Sequence, residues 1–226
     1  MLNNILKQIT IGKMGVEIGG PSEVATGVYE SAGGVDNVIF SKHTIWSSHT
    51  DEYNYYKDKQ GRVIVNDAVN IELVMNERYD FCLSSHSLEH IANPLKAVCE
   101  WLRIVKPGGH IIIVVPEKSH CFDHRREYSK FSTLRKQYEN NVGEDDLSTL
   151  PEILRSHDLS KDPDAGSFES FTRRSLDNVN NRCLHHYVYD DDLLKKICTF
   201  FNCEFVYAET IHLNRWFIIK KPQILC

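Results

Sequence analysis

Apolar positions along this chain fall into short runs, and the densest grouping lies between Tyr79 and Pro116. Tyr79-Asp80-Phe81-Cys82-Leu83-Ser84 is an apolar run that stops in small polar residues, and His110 to Val115 is almost entirely β-branched, as strands covered on both faces are. Between them, behind Pro94, Leu95, Val98, Leu102 and Val105 recur at intervals of three and four. Lys106-Pro107-Gly108-Gly109 then supplies a cation, a breaker and residues that tolerate positive φ, so one helix is predicted. Strand, helix and strand of this size predict a right-handed parallel crossover. Ligands of such sheets sit beyond the carboxyl ends of the strands, which places Ser84-Ser85-His86-Ser87-Leu88-Glu89-His90 at a pocket. His90 opens the helix region and is read as a cap or packing residue.

The same pattern extends outward. Met14-Gly15-Val16-Glu17-Ile18 predicts a first strand that empties into Gly19-Gly20-Pro21-Ser22, where missing side chains let a ligand approach the backbone. An acid inside so apolar a strand is expensive unless a ligand or a donor meets it, which singles out Glu17. Val35 to Ser41 predicts a second strand and Arg62 to Asn66 a third, ending in Asp67-Ala68. Asp67 can accept from an amine such as adenine N6 or serve as a helix N-cap. The intervening HTIWSSHTDEYNYYKDKQG has neither period and is expected to be a loop over the site. Residues 117–184 are polar and predict an insertion that caps the strand ends. Asp190-Asp191-Asp192 opens a last helix whose apolar face is Leu193, Leu194, Ile197, Phe200 and Phe201. Runs at 204–207 and 215–219 then predict an antiparallel hairpin with about ten residues between its strands. The fold class is α/β and Rossmann-like, mostly parallel, with a helical cap.

Composition narrows the function. At 226 residues and 42% hydrophobic, the chain can bury the core of one domain, taken as 1–226. A net charge of -5 argues against nucleic acid held on a basic surface, and no apolar run is long enough for membrane insertion. The polar start argues against a secretory signal. Seven scattered cysteines without a CxxC pair fit free thiols in a reducing, cytoplasmic setting better than disulfides or zinc.

Val16-Glu17-Ile18-Gly19-Gly20, Asp67-Ala68, the run from Tyr79 through Leu88-Glu89-His90, and Val105-Lys106-Pro107-Gly108-Gly109 occur in one order and spacing. Together they resemble the successive motifs of class I S-adenosylmethionine-dependent methyltransferases, over residues 14–116. Val115-Pro116-Glu117-Lys118, Phe122-Asp123-His124-Arg125-Arg126 and His185-His186 are similar to a bacterial small-molecule subgroup often associated with surface-polysaccharide synthesis. The resemblance implies a seven-stranded sheet and S-adenosylmethionine as cofactor. It implies that Glu17 faces the methionine ammonium, that Gly19, Gly20 and Pro21 admit the carboxypropyl end, that Asp67 and Ala68 border adenine, and that Ser84, Ser85 and His86 border the sulfonium. The ribose position departs from pattern: where an acid is usual stands Ser41, so Ser41 or a residue of the following loop holds the hydroxyls.

Transfer to a hydroxyl needs alignment and a base, for which His124 and His186 are the candidates. Arg125 and Arg126, with Asp123 and His185, are candidates for holding a small polar or anionic acceptor such as a sugar or a phosphorylated precursor. No metal is expected, because no HxxxH-type spacing is present. Three rivals stand beside this reading: a nicotinamide oxidoreductase, which needs a stronger glycine fingerprint; an N-methyltransferase; and a scaffold that has lost its cofactor.

Overall fold

The computed structural model describes residues 1–44 and 50–223. One sheet is built from β1 (Met14–Ile18), β2 (Gly34–Ile39), β3 (Glu52–Tyr56), β4 (Lys59–Val65), β5 (Tyr79–Ser85), β6 (Val105–Pro116), β7 (Glu204–Ile211) and β8 (Asn214–Lys220). Its order is β3-β4-β2-β1-β5-β6-β8-β7. The five strands from β4 to β6 in that order are mutually parallel, while β3 on β4 and β8 between β6 and β7 are antiparallel. The helices are α1 (Leu2–Thr10), α2 (Thr26–Ser31), α3 (Pro94–Ile104), α4 (Phe131–Glu139), α5 (Leu150–Ser156), α6 (Phe168–Leu176), α7 (Asn178–Asn181) and α8 (Asp191–Phe200).

The unbroken apolar runs of β5 and β6 are explained by the two-residue period of a strand. Ile111, Ile113 and Val115 enter the core beneath α3, α4 and α8, whereas Ile112 and Val114 enter the opposite core beneath α1 and α2. Cys82 and the pair Phe81 and Leu83 divide in the same way. In α3, Asn93 caps the first turn by accepting from Lys96 N at 3.2 Å, and Leu95, Val98, Trp101 and Leu102 are buried. The helix stops one residue earlier than its apolar spacing suggests. Val105 already pairs with Tyr79 as the first residue of β6, ahead of a register shift.

Two expectations are corrected. The sheet has eight strands rather than seven, and the added one is β3, inside the segment read as a loop; residues 45–49 of that segment lie outside the described residues. Tyr53 and Tyr55 alternate inward onto the α1 and α2 core, and the chain reverses at Lys57-Asp58 with Lys57 at φ 46°. At the other edge, β7 and β8 run on until only His212-Leu213 separates them, with His212 at φ 53°, instead of the ten residues expected.

The segment after β6 is helical, and Leu150, Ile153, Ala165, Phe171 and Leu184 form a small core of their own. It is tied to the chain following β5: His186 N donates to Glu89 O at 2.7 Å, Tyr187 Oη to Ala92 O at 2.9 Å, and Ala92 N to Glu144 Oε1 at 2.9 Å. Asp190 caps α8 by accepting from Leu193 N at 2.8 Å. Leu193, Leu194 and Ile197 are buried, while Phe200 lies against Phe131 and Tyr138 of α4. No helix among the described residues is long and apolar enough to cross a membrane.

Candidate active site

A cavity of about 600 Å³ opens at the carboxyl ends of β1, β2, β4 and β5. Ile18, Gly19 and Pro21 form its floor, with Val38 to Phe40 on one side and Asn66, Asp67 and Ala68 beyond. Ser85, His86 and His90 form the opposite wall, and Glu144, Arg182 and Asn214 close over it.

The floor explains its own sequence. Gly19 sits at φ 76°, and a Cβ there would lie 2.9 Å from Ser87 Oγ, which donates to Ile18 O at 2.7 Å. Backbone angle and crowding therefore both require glycine. Gly20 is clasped by Asn37, donating to its Oδ1 at 3.1 Å and accepting from its Nδ2 at 2.9 Å. Beneath Gly20 lies Glu17, fully buried and outside the cavity lining. Its Oε2 accepts from Tyr29 Oη at 2.7 Å and from Tyr53 Oη, while Oε1 has no hydrogen-bond partner among the described residues. Burial pushes the Glu17 carboxyl up to about 7, against the pull of the two phenols.

On the walls, Asp67 Oδ2 accepts from Arg182 at 3.0 Å, and Arg182 also reaches Glu144 at 3.1 Å and lies over the Phe40 ring. Ala68 lines the cavity, and its carbonyl accepts from Trp101 Nε1 at 3.1 Å. Ser85 Oγ accepts from Ser22 Oγ at 2.7 Å, whereas Ser84 is buried behind it and does not reach the cavity. His86 stands at φ 49°, with Nε2 2.7 Å from Asn214 Oδ1. Ser41 turns away into a local pair with His43, leaving Phe40 as the residue that faces in from the end of β2.

The residues expected to act on the acceptor are placed elsewhere. His124 pairs with Asp158 at 2.8 Å beside Arg125, which reaches Asp158 at 3.1 Å, and neither lines the cavity. Arg126 is buried among Asp123, Glu152 and the carbonyls of His185 and His186. Asp123, buried but flanked by His185 at 2.6 Å and by Arg126, is held down at about 2. His186 is buried against Asn178 and Thr149, and burial pushes its imidazole down to about 4. Ion-pair saturation explains this placement: each charged group in the run finds an opposite partner within the insertion and remains there.

Sequence reasoning missed Phe40, Glu144, Arg182 and Asn214, whereas His90, the last residue of the stretch expected at the pocket, does line it. His90 ends a short 3-10 turn (Leu88–His90) ahead of the helix and faces the cavity. Its place just beyond β5 was the one available signal; Glu144 and Arg182 arrive from a polar insertion with no period to read.

A methyltransferase-domain family model matches residues 41–113. No curated protein matches the chain. Among solved structures, the chain is similar to an S-adenosylmethionine-dependent methyltransferase from Mesorhizobium loti, with TM-score 0.57, 9% identity and 97% and 96% of the two chains covered. It is also similar to a SAM-dependent methyltransferase from Methanosarcina mazei, with TM-score 0.51, 12% identity and 96% and 97% covered. A protein from Rhodobacter sphaeroides named as a Zn-dependent alcohol dehydrogenase matches with TM-score 0.54, 11% identity and 97% and 88% covered. At such identities the three structures speak for the fold alone. Residues 41–113 thus match a methyltransferase domain, and the chain shares its fold with S-adenosylmethionine-dependent methyltransferases of known structure.

Proposed function

We propose that the chain methylates a hydroxyl on a small polar acceptor, within one domain in which residues 117–184 act as the cap. The observation that carries this reading is the cavity of about 600 Å³ at the strand ends, a size suited to a nucleoside beside a small acceptor. S-adenosylmethionine fits the residues present: Gly19 leaves a cradle that a Cβ would fill, and Ser22, Ser85 and Asp67 offer polar atoms in the cavity lining. In this reading Gly19 and Pro21 hold the amino-acid end, with Glu17 and Gly20 supporting the turn from beneath, and Asp67 and Ala68 border the base. When bound, the cofactor supplies an activated methyl group, so the protein's remaining tasks are alignment and removal of a proton.

His86 is the base in this reading, in place of His124 or His186, because it lines the cavity at the end of β5 and they do not. Asn214 holds the imidazole at 2.7 Å, fixing its orientation. The acceptor is read as polar and uncharged, since Arg125 and Arg126 are engaged outside the cavity and Arg182 is already paired with Asp67 and Glu144. A sugar precursor of a bacterial surface polysaccharide is the acceptor class that the resemblance favours.

Calorimetry with S-adenosylhomocysteine tests the cofactor half, with NAD as the control; binding of NAD but not of the nucleoside at millimolar concentration would refute it. A methyl-transfer screen over free and nucleotide-linked sugars tests the other half. With the acceptor found, His86→Ala should lower kcat by about 10²- to 10⁴-fold while the affinity for S-adenosylhomocysteine holds. An unchanged kcat would remove His86 from the reaction.

A further inference from the structure

We propose that Glu89, His90 and His185 form a binding site for one divalent transition-metal ion in the wall of the cavity. One ligand atom from each of the three lies within 4.8 Å of the other two. Donors about 2.0–2.1 Å from a tetrahedral metal stand about 3.3 Å apart, so the closure needed is about an ångström of side-chain movement. The chain holds the two halves of the cluster in place: His186 N donates to Glu89 O at 2.7 Å and sets the 185–186 segment against the turn carrying Glu89 and His90, whose ring meets that of His185 edge-on at 4.5 Å.

Glu89 is the independent observation. It is 1% exposed, and neither carboxylate oxygen has a hydrogen-bond partner among the described residues. Its nearest cationic candidate, His86 Nδ1, stands 3.6 Å from Oε1, beyond hydrogen-bond length. A buried carboxylate in this state is costly unless a cation meets it. His185 is prepared for that role. Its Nδ1 is 2.6 Å from Asp123 Oδ2, itself bound by Arg126 at 3.0 Å, which leaves Nε2 as the free ligand atom in the arrangement usual for metal-bound histidine.

Two imidazoles and one carboxylate suit zinc, cobalt, nickel or ferrous iron, whereas magnesium and calcium take oxygen ligands. His90 lines the cavity, so a metal here would have a coordination position facing the bound molecules. Binding at this cluster does not depend on methyl transfer and is separable from it.

The test uses the purified chain stripped with EDTA and dialysed, titrated with Zn²⁺ in a calorimeter and with Co²⁺ by visible absorption. One equivalent of Zn²⁺ per chain, a raised Tm and cobalt d–d bands are expected. Glu89→Gln, nearly isosteric, and His185→Ala should each lose the stoichiometric site. Asp123→Asn should weaken it by about 10- to 100-fold, and His120→Ala, at an exposed histidine outside the cluster, should bind as wild type. Absence of a one-to-one site in the wild type, or its survival in Glu89→Gln, overturns the proposal, and the second variant is decisive even if His185→Ala fails to fold. S-adenosylhomocysteine binding to the stripped protein reports the cofactor site separately.

Discussion

Replacing Glu17 by Gln isolates the energetic role of the acid under the glycine turn. Burial raises the Glu17 carboxyl from its ordinary 4.5 to about 7. A carboxyl whose folded pKa exceeds its unfolded value binds its proton more tightly in the folded chain. Its contribution to stability is therefore complete below pH 4.5 and is lost as pH rises to 7. Integrated between pH 5 and 8, that loss comes to about 2–3 kcal/mol. For a chain of this size it corresponds to about 5–10 °C in Tm. Gln keeps the shape and can still accept from Tyr29 and Tyr53, but it cannot titrate. Urea unfolding of both proteins at pH 5, 6, 7 and 8 should show the stability difference, wild type minus variant, falling by about 2–3 kcal/mol across the series. Parallel curves, with a constant difference, would refute the assignment of a buried titrating carboxyl at Glu17.

Other substitutions separate packing from chemistry. Gly20→Ala places a Cβ 2.2 Å from Tyr53 Oη and 2.3 Å from Glu17 Cδ, so it should cost about 1–3 kcal/mol in a urea melt, and a neutral result would mean that the turn can move. Arg126→Ala leaves buried Asp123 with His185 as its remaining partner and should cost about 3–5 kcal/mol, whereas Arg125→Ala, at an exposed ion pair, should leave Tm at the wild-type value; equal effects would contradict the burial of Arg126. Asp190→Ala removes the cap of α8 and should cost about 1 kcal/mol, read by the same melts.

What the sequence shows of this fold is what is encoded locally. β1, β5, α3 and β6 are legible because burial on two faces, or along one helical stripe, repeats within a few residues. β3 is not, since only Tyr53 and Tyr55 carry its alternation, within a polar stretch. The floor of the cavity is legible through Gly19, whose left-handed backbone permits little else. Its roof is not. Arg182 meets Asp67 and Glu144 only after the polar insertion has folded, and His185 meets His90 across a long separation in sequence. The charged run at 123–126 invites a reading as a substrate clamp because ion pairing with Glu152 and Asp158 leaves no periodic trace in the chain.

The contact between Arg182 and Asp67 makes ionic strength a variable of ligand entry. Asp67 Oδ1 already accepts from Val69 N, so an amine arriving from inside the cavity competes with the guanidinium for Oδ2. Both side chains retain partial access to solvent, and dissolved salt weakens such pairs by screening. Glu17, sealed under Gly20, is shielded from the same ions. Added salt therefore loosens the Arg182–Asp67 pair at one end of the cavity while leaving Glu17 untouched, and, if Asp67 meets a base as proposed, the nucleoside half of a ligand should be held more firmly as ionic strength rises.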